Sequence, residues 1–335
     1  MVEFEEKANS RIADRDAAIE AIAAQLGVPA ERGRRFADLT SLRVGGSIDW
    51  VLSPQTEAEA ASLVHELEQR SIAWRPLGSG SNVLADDGEH HYVIVSLKEL
   101  KADPVFEGDR VSVSAGYSLP RLCIDAARQG LSGIEGLNGI PGTVGGALWM
   151  NAGAYGQEIG TVVETVRVAR DGHVTEIPGS EVQWNYRHTS FREGELLLGA
   201  TLLLHTDDRA AIAERMERAK GQRMATQPHG ARSAGCFFKN APASQIGTGK
   251  MIDDLGMKGT RRGGAVVSPK HANFIVTEGE DAKASDALAL AEEIRERVKR
   301  EHGIDLEYEV ELWSSVSEPG AVATGSEGSS SEKEI

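Results

Sequence analysis

GLNGIPGTVGGALWMNAGAYGQEIG, residues 136–160, holds 8 glycines in 25 positions, against 37 in the 335 residues of the whole chain. Glycine opens positive φ and lets main chain approach a ligand closely, while it weakens helices and strands, so a run this rich reads as a ligand cradle rather than a core element. A shorter signature precedes it: Leu77-Gly78-Ser79-Gly80-Ser81-Asn82-Val83-Leu84. There, two glycines free several N–H groups to converge on one anion, and Ser79, Ser81 and Asn82 add hydrogen-bonding capacity, an arrangement suited to a pyrophosphate. The loop lacks the lysine of a Walker A motif and the spacing of GxGxxG, so neither a P-loop nor a Rossmann reading is supported. Alone, GSGSN is more often a tight turn. The second glycine run shifts the balance toward phosphate.

Working outward, apolar Ile19, Ile22 and Leu26 at helical spacing, followed by Gly27 and Pro29, predict a short helix over residues 16–26. Residues 48–52 read as a strand, Thr56 with Glu59 forms a capping box that opens a helix through Leu67, and a strand over 72–77 runs into the Gly78 loop. With the apolar runs 92–97 and 111–113, this order describes an α+β nucleotide-type domain with its ligand loop at a strand end. Residues 119–129 predict an amphipathic helix. Strands over 162–169 and 174–177 flank the hairpin signal Asp171-Gly172, residues 196–205 form another strand, and Asp207 or Asp208 caps a helix carrying Ile212 and Met216. From Ser233 a separate pattern appears: strand 236–238, helix 250–255, strand 274–276, a charged helix 286–302 and strand 306–312, a smaller α/β domain. Residues 314–335 carry 7 serines and 3 glycines in 22 positions, too polar to bury a core, and read as a disordered tail.

Composition narrows the function. Lys+Arg 36 against Asp+Glu 51 gives a net charge of -15, which disfavours nucleic acid and anionic membrane surfaces as partners and favours small molecules. The N-terminus has no apolar run of signal-peptide type, and no stretch approaches the length of a membrane span, so a cytoplasmic protein without membrane insertion is expected. Two cysteines, Cys123 and Cys236, with no CxxC or HExxH spacing, predict neither a disulfide framework nor a metal. Nothing in the sequence points to an obligate protein partner.

The two glycine signatures together, with Gly139-Ile140-Pro141-Gly142-Thr143-Val144-Gly145-Gly146-Ala147 and Asn151-Ala152-Gly153-Ala154-Tyr155-Gly156, resemble the UDP-N-acetylenolpyruvoylglucosamine reductase family. Further blocks, Thr40 to Gly46, Tyr186-Arg187-His188-Thr189-Ser190-Phe191-Arg192, Ser233-Ala234-Gly235-Cys236-Phe237-Phe238-Lys239-Asn240 and Leu306 to Val310, follow in that family's order across residues 37–313. The resemblance implies a two-part FAD-binding domain of the vanillyl-alcohol-oxidase type over residues 37–222, split near 100, after an N-terminal helical segment 1–36 and before a C-terminal substrate domain over 223–313. It implies non-covalent FAD, held by Gly78, Ser79, Gly80, Ser81, Asn82, Val83, Leu84, Ile140, Pro141, Thr143, Gly145, Gly146, Asn151, Gly153 and Ala154. None of the 9 histidines has a setting that would attract covalent flavin. NADPH would reduce the flavin, N5 would pass hydride to C3 of the enolpyruvyl group of a UDP-sugar, and C2 would take a proton to give UDP-N-acetylmuramate for peptidoglycan synthesis. Such chemistry needs a cation on the carboxylate, enolate stabilisation and a proton donor. Arg187, Glu309 and Cys236 match the family's positions for these tasks. Tyr186, Lys239, Asn240 and His271 are candidate substrate-binding positions: Lys239 and Asn240 suit the sugar diphosphate, with exposed strand-end residues the commoner reading, and His271 either faces substrate or caps a loop.

The chain departs from the family pattern at Cys236, where serine is usual. A thiol is the better acid and can be retuned by its surroundings, and it makes oxidation a route to inactivation. Lys239-Asn240-Ala241 lacks the proline expected after asparagine, and the short connection after Gly160 suits the shorter, second subclass. Without the resemblance, Arg187 reads as surface cation–π packing, Glu309 as a solvated strand face, and Cys236, like Cys123, as a small buried hydrophobe. Two other functions compete. A hydroxy-acid or sugar-lactone oxidase of the same superfamily would explain the glycine loops but not the 233–240 block or the Tyr186-Arg187 pair. A catalytically dead flavoprotein has only the serine-to-cysteine change in its favour.

Overall fold

A computed structural model describes residues 2–315 apart from 193, 243 and 245, with side chains from residue 12 onward. The N-terminal helix is longer than its apolar spacing predicts, Val2–Leu26, and its last turns place Ile19 and Ile22 in the core. Next comes a four-stranded sheet in which Ala30–Arg35 pairs antiparallel with Ser47–Leu52. Ser47–Leu52 then runs parallel to His90–Ser96, which runs parallel to Trp74–Leu77. Alternation along the central strand explains why both faces of this sheet are covered. Val93 and Val95 pack with Leu63, Val64 and Leu67 of the helix Glu57–Gln69 on one side, whereas Tyr92 and Ile94 pack with Phe36 and Leu77 on the other. Thr56 caps that helix by accepting the Glu59 N–H at 3.2 Å.

The middle of the chain builds an antiparallel five-stranded sheet, ordered His173–Pro178, Val163–Arg170, Leu197–Leu203, Arg110–Ser114, Val105–Glu107. Its hairpin turns on Asp171 and Gly172 at φ 49° and 78°, the paired left-handed residues of a type I′ turn, as the Asp-Gly dipeptide predicts. The helix Leu119–Gln129 ends on left-handed Gly130 and buries Leu119, Leu122 and Cys123 beneath this sheet. Asp208, rather than Asp207, caps the helix Arg209–Thr226. After Ile159–Val162 the chain enters Val163–Arg170 directly.

The last part packs the helix Ala284–His302 on a small antiparallel sheet of Arg232–Ser233, Ile275–Thr277, Ala265–Val267 and Arg261–Arg262. Two sequence expectations change here. The strand expected at 236–238 is Arg232–Ser233 instead, because Gly235 at φ 82° breaks the extended run and leaves Cys236 in a loop, with Phe238 making one bridge to Tyr308. The strand expected at 306–312 is Glu311–Trp313, and it leaves this sheet to pair in parallel with Val83–Ala85 beside the first glycine loop. Beyond it, the Ser315 N–H donates to Asp86 Oδ2 at 2.8 Å. The expected disorder of the tail falls on residues 316–335, outside the described residues.

Candidate active site

The two glycine loops face each other. Residues 78–82 connect Trp74–Leu77 to Val83–Ala85, and Ser81 Oγ donates to the Pro141 carbonyl at 2.9 Å while Ser79 Oγ lies 3.2 Å from Ser81 Oγ. Gly80 sits at φ 66°, where a Cβ would lie 2.4 Å from the Leu39 carbonyl oxygen. Gly142, at φ 149°, leaves open a space whose nearest atoms are the Ser81 and Ser79 hydroxyls, 3.3 and 3.9 Å from where its Cβ would stand. Bare backbone at residue 142 opposite two hydroxyls is a cradle that a side chain would fill, and it suits the pyrophosphate of FAD.

The other positions expected to hold the cofactor differ in what their side chains touch. Pro141, and partly buried Ile140, stand on the wall facing Ser81, and Thr143 caps the short helix Val144–Trp149 by accepting the Gly146 N–H at 3.4 Å. Gly145 serves packing, since a Cβ there would meet Ala115 Cβ at 2.9 Å. Val83 and Leu84 are core residues on the strand that receives Glu311–Trp313. Asn151 is fully buried at φ 42°. Its Nδ2 donates to Glu158 Oε2 and the Asn185 carbonyl, both at 3.0 Å, and its Oδ1 accepts the Gly160 N–H at 3.1 Å. Its side chain therefore braces the loop from within. Ala154 pairs with Gln157 in a two-residue ladder, and the Gly153 carbonyl points at Arg187.

Arg187, Glu309 and Cys236 converge on this cradle from three distant parts of the chain. Arg187 holds φ 52°, strained for a residue with a Cβ, and its Nε donates to Glu309 Oε1 at 2.8 Å while an Nη donates to the Gly153 carbonyl at 2.8 Å. Its guanidinium stands 5.0 Å from the Tyr186 ring centre. The two charged side chains are 19% and 16% exposed, far from the solvated face that alternation alone suggests for Glu309. Glu309 also ties the pieces together through its backbone: its N–H donates to the Phe237 carbonyl at 2.9 Å, beside Cys236, and its carbonyl accepts Asn82 Nδ2 at 3.0 Å from the first glycine loop. Burial pushes the Glu309 carboxyl up, against the pull of Arg187 and Lys239.

Cys236 is half-buried, and burial together with the Glu309 charge pushes its thiol up to about 12, despite Arg187 and Arg223 nearby. The thiol is thus held protonated, which suits a proton donor and keeps the reactive thiolate scarce. Cys123, as expected, is buried and donates its S–H to the Ile134 carbonyl at 3.1 Å.

The four residues expected to bind substrate separate. The Tyr186 hydroxyl accepts the Asn240 N–H at 3.5 Å, joining the 233–240 block to Arg187. Asn240 Oδ1 accepts the Thr248 N–H at 3.0 Å, and Lys239 Nζ lies 3.3 Å from Glu307 Oε2, so Asn240 is committed to local structure while Lys239 is held only by a surface pair. His271 accepts the Asn273 N–H at 3.3 Å and meets Phe274 edge-on, in the loop whose Asn273 pins Phe238, and no contact joins it to the Arg187 cluster. Among the described residues no group of three or more His, Cys, Asp or Glu could hold a metal. Sequence reading did not single out Arg223, which lies in the last turns of the helix Arg209–Thr226 with no local pattern to mark it.

Comparison with known proteins shows the family. Residues 227–313 match the model of the UDP-N-acetylenolpyruvoylglucosamine reductase C-terminal domain, and residues 48–177 match an FAD binding domain. The UDP-N-acetylenolpyruvoylglucosamine reductase of Geobacter sulfurreducens is 39% identical over 284 residues, 84% of this chain and 93% of that protein. This chain belongs to the UDP-N-acetylenolpyruvoylglucosamine reductase family. The family's protein from Trichlorobacter lovleyi is 40% identical over 82% of this chain and 90% of its own length. The crystal structure of the reductase from Thermus caldophilus superposes with a TM-score of 0.72 at 35% identity, covering 85% of this chain and 99% of that one. In keeping with that family, the fold is α+β, an FAD-binding domain joined to the reductase C-terminal domain, and the protein is an FAD-dependent oxidoreductase. No helix among the described residues is long and apolar enough to cross a membrane.

Proposed function

We propose that this chain reduces UDP-N-acetylglucosamine enolpyruvate to UDP-N-acetylmuramate with NADPH, in the cytoplasm, as a step of peptidoglycan precursor synthesis. The observation that carries the reading is the Arg187–Glu309 pair, closed at 2.8 Å across the chain and tied by Asn82 to the glycine loop. FAD, when bound, takes reducing equivalents from NADPH and supplies the hydride for C3 of the enolpyruvyl group. The chain's own residues do the rest. Ser79, Ser81 and the backbone at Gly80 and Gly142 hold the pyrophosphate. Arg187, fixed over Tyr186 by Glu309, presents a cation to the substrate carboxylate. Glu309 accepts the Arg187 Nε–H at 2.8 Å and so fixes the cation that faces the developing enolate charge. The protonated Cys236 thiol gives its proton to C2.

Residues 37–222 are read as the FAD-binding part and 223–313 as the part that brings Cys236, Lys239 and Glu309 over the substrate. The oxidase alternative leaves the joined Cys236, Glu309 and Arg187 without a task. Anaerobic stopped-flow absorbance tests the proposal: the flavin band should bleach with NADPH and return on adding the UDP-sugar, with UDP-N-acetylmuramate formed. Flavin that reoxidises only with oxygen would favour the oxidase, and protein purified without flavin would overturn the reading of both loops.

A further inference from the structure

Of the partly buried arginines, most have a carboxylate partner, Arg75 lies instead over the Tyr92 and Trp313 rings, and Arg232 donates to the Gly279 carbonyl. Arg167 pairs with Glu57 at 2.8 Å, Arg187 with Glu309 at 2.8 Å, and Arg215 with Glu135 and Asp207, both at 2.6 Å. Among the described residues no carboxylate lies within ion-pair distance of Arg223. Its Nη1 donates to the neutral amide of Gln227 at 2.8 Å, and its Nε is buried without any partner. A guanidinium withdrawn from water without a counter-ion is costly, a cost that a bound ligand of opposite charge offsets. Burial pulls the Arg223 guanidinium down, and the groups that act on it electrostatically are Tyr155, Cys236 and Arg187. These place it beside the Arg187 and Cys236 cluster. Its stem crosses the glycine loop, with Cδ 3.2 Å from where a Cβ on Gly139 would stand.

We propose that Arg223 is the counter-charge for the anionic N1–C2=O edge of the reduced flavin. In the proposed reaction the substrate carboxylate has Arg187, the pyrophosphate has the Ser79–Ser81 cradle and the sugar diphosphate has Lys239, so the anion left for Arg223, beside Cys236 and Arg187, is the one that appears when the flavin accepts two electrons. A fixed positive charge there favours reduced over oxidised flavin and sets the potential at which NADPH can load the enzyme. This rests on the reductase reading given above.

The test compares wild-type holoenzyme with Arg223→Gln and Arg223→Lys in a spectrophotometric redox titration against a reference dye, and in sulfite titration, since the sulfite adduct also leaves negative charge at N1. The Gln variant is expected to lose about tenfold in preference for reduced flavin, which is about 30 mV for a two-electron couple, and about tenfold in sulfite affinity. The Lys variant should recover most of both. Unchanged potential and sulfite affinity in Arg223→Gln would overturn the proposal, as would a rise in KM for the UDP-sugar as its only change, which would assign the charge to the substrate. If the Gln variant sheds FAD, Arg223→Met, which keeps the apolar stem on Gly139, carries the same two readouts. A wild-type protein that binds no FAD would instead overturn the reductase reading itself.

Discussion

Reaction of the Cys236 thiol with iodoacetamide tests the electrostatics of the site directly. With the thiol pushed up to about 12, the thiolate fraction near pH 7 is on the order of 10⁻⁵, against about 3% for an ordinary thiol of pKa about 8.5. That is a loss of about 3,000-fold in reactive species. The more basic thiolate is the better nucleophile, and a Brønsted coefficient of about 0.4–0.5 over about 3.5 units returns about 25- to 55-fold. The net expectation is alkylation about 10²-fold slower than an unperturbed cysteine, before any shielding by the fold. Mass spectrometry of the Cys236 peptide, after timed exposure of native holoenzyme, follows the rate from pH 7 to 10.5. The rate should climb tenfold per pH unit throughout that range. Cys123 is buried with its S–H on the Ile134 carbonyl and should label only on unfolding. A plateau above pH 9, or labelling as fast as a free thiol, would refute the argument that burial and Glu309 hold the proton on sulfur.

Cys236→Ala should leave bleaching of the flavin by NADPH intact while slowing product formation by about 10²-fold, the usual cost of a lost general acid, and Cys236→Ser should stay active; stopped-flow of the two half-reactions separates these effects. Glu135 is 4% exposed, yet its carboxyl stays at about 2 rather than 4.5, because the Gly133 N–H, Arg215 and Ser132 outweigh the effect of burial. Stability from this group is complete above pH 4.5 and is lost as pH falls toward 2, so Glu135→Gln should cost on the order of 3 kcal/mol near pH 7 in urea unfolding, with the difference closing in acid. Gly80→Ala meets both positive φ and a Cβ 2.4 Å from the Leu39 carbonyl, and should lower stability by at least about 2 kcal/mol, read as a fall in Tm together with reduced FAD content.

Features governed by neighbours in the chain were legible from residues alone. The Asp171-Gly172 hairpin, the Thr56 cap and the glycine loops at 78–82 and 136–160 all follow from φ preferences and side-chain reach over a few residues, and the ordered blocks from Thr40 to Val310 carried the family. What no local rule contains is which strand meets which. Glu311–Trp313 abandons its own neighbourhood to pair with Val83–Ala85, and that one choice delivers Glu309 to Arg187, 122 residues away, and to Asn82, 227 residues away. Alternation along residues 306–312 pointed Glu309 toward water, because period-2 reasoning assumes a regular strand, whereas the chain there is irregular until Glu311. The protonated state of Cys236 and the unpaired charge of Arg223 are likewise properties of burial, and burial is decided only when distant segments pack and exclude water from the groups between them.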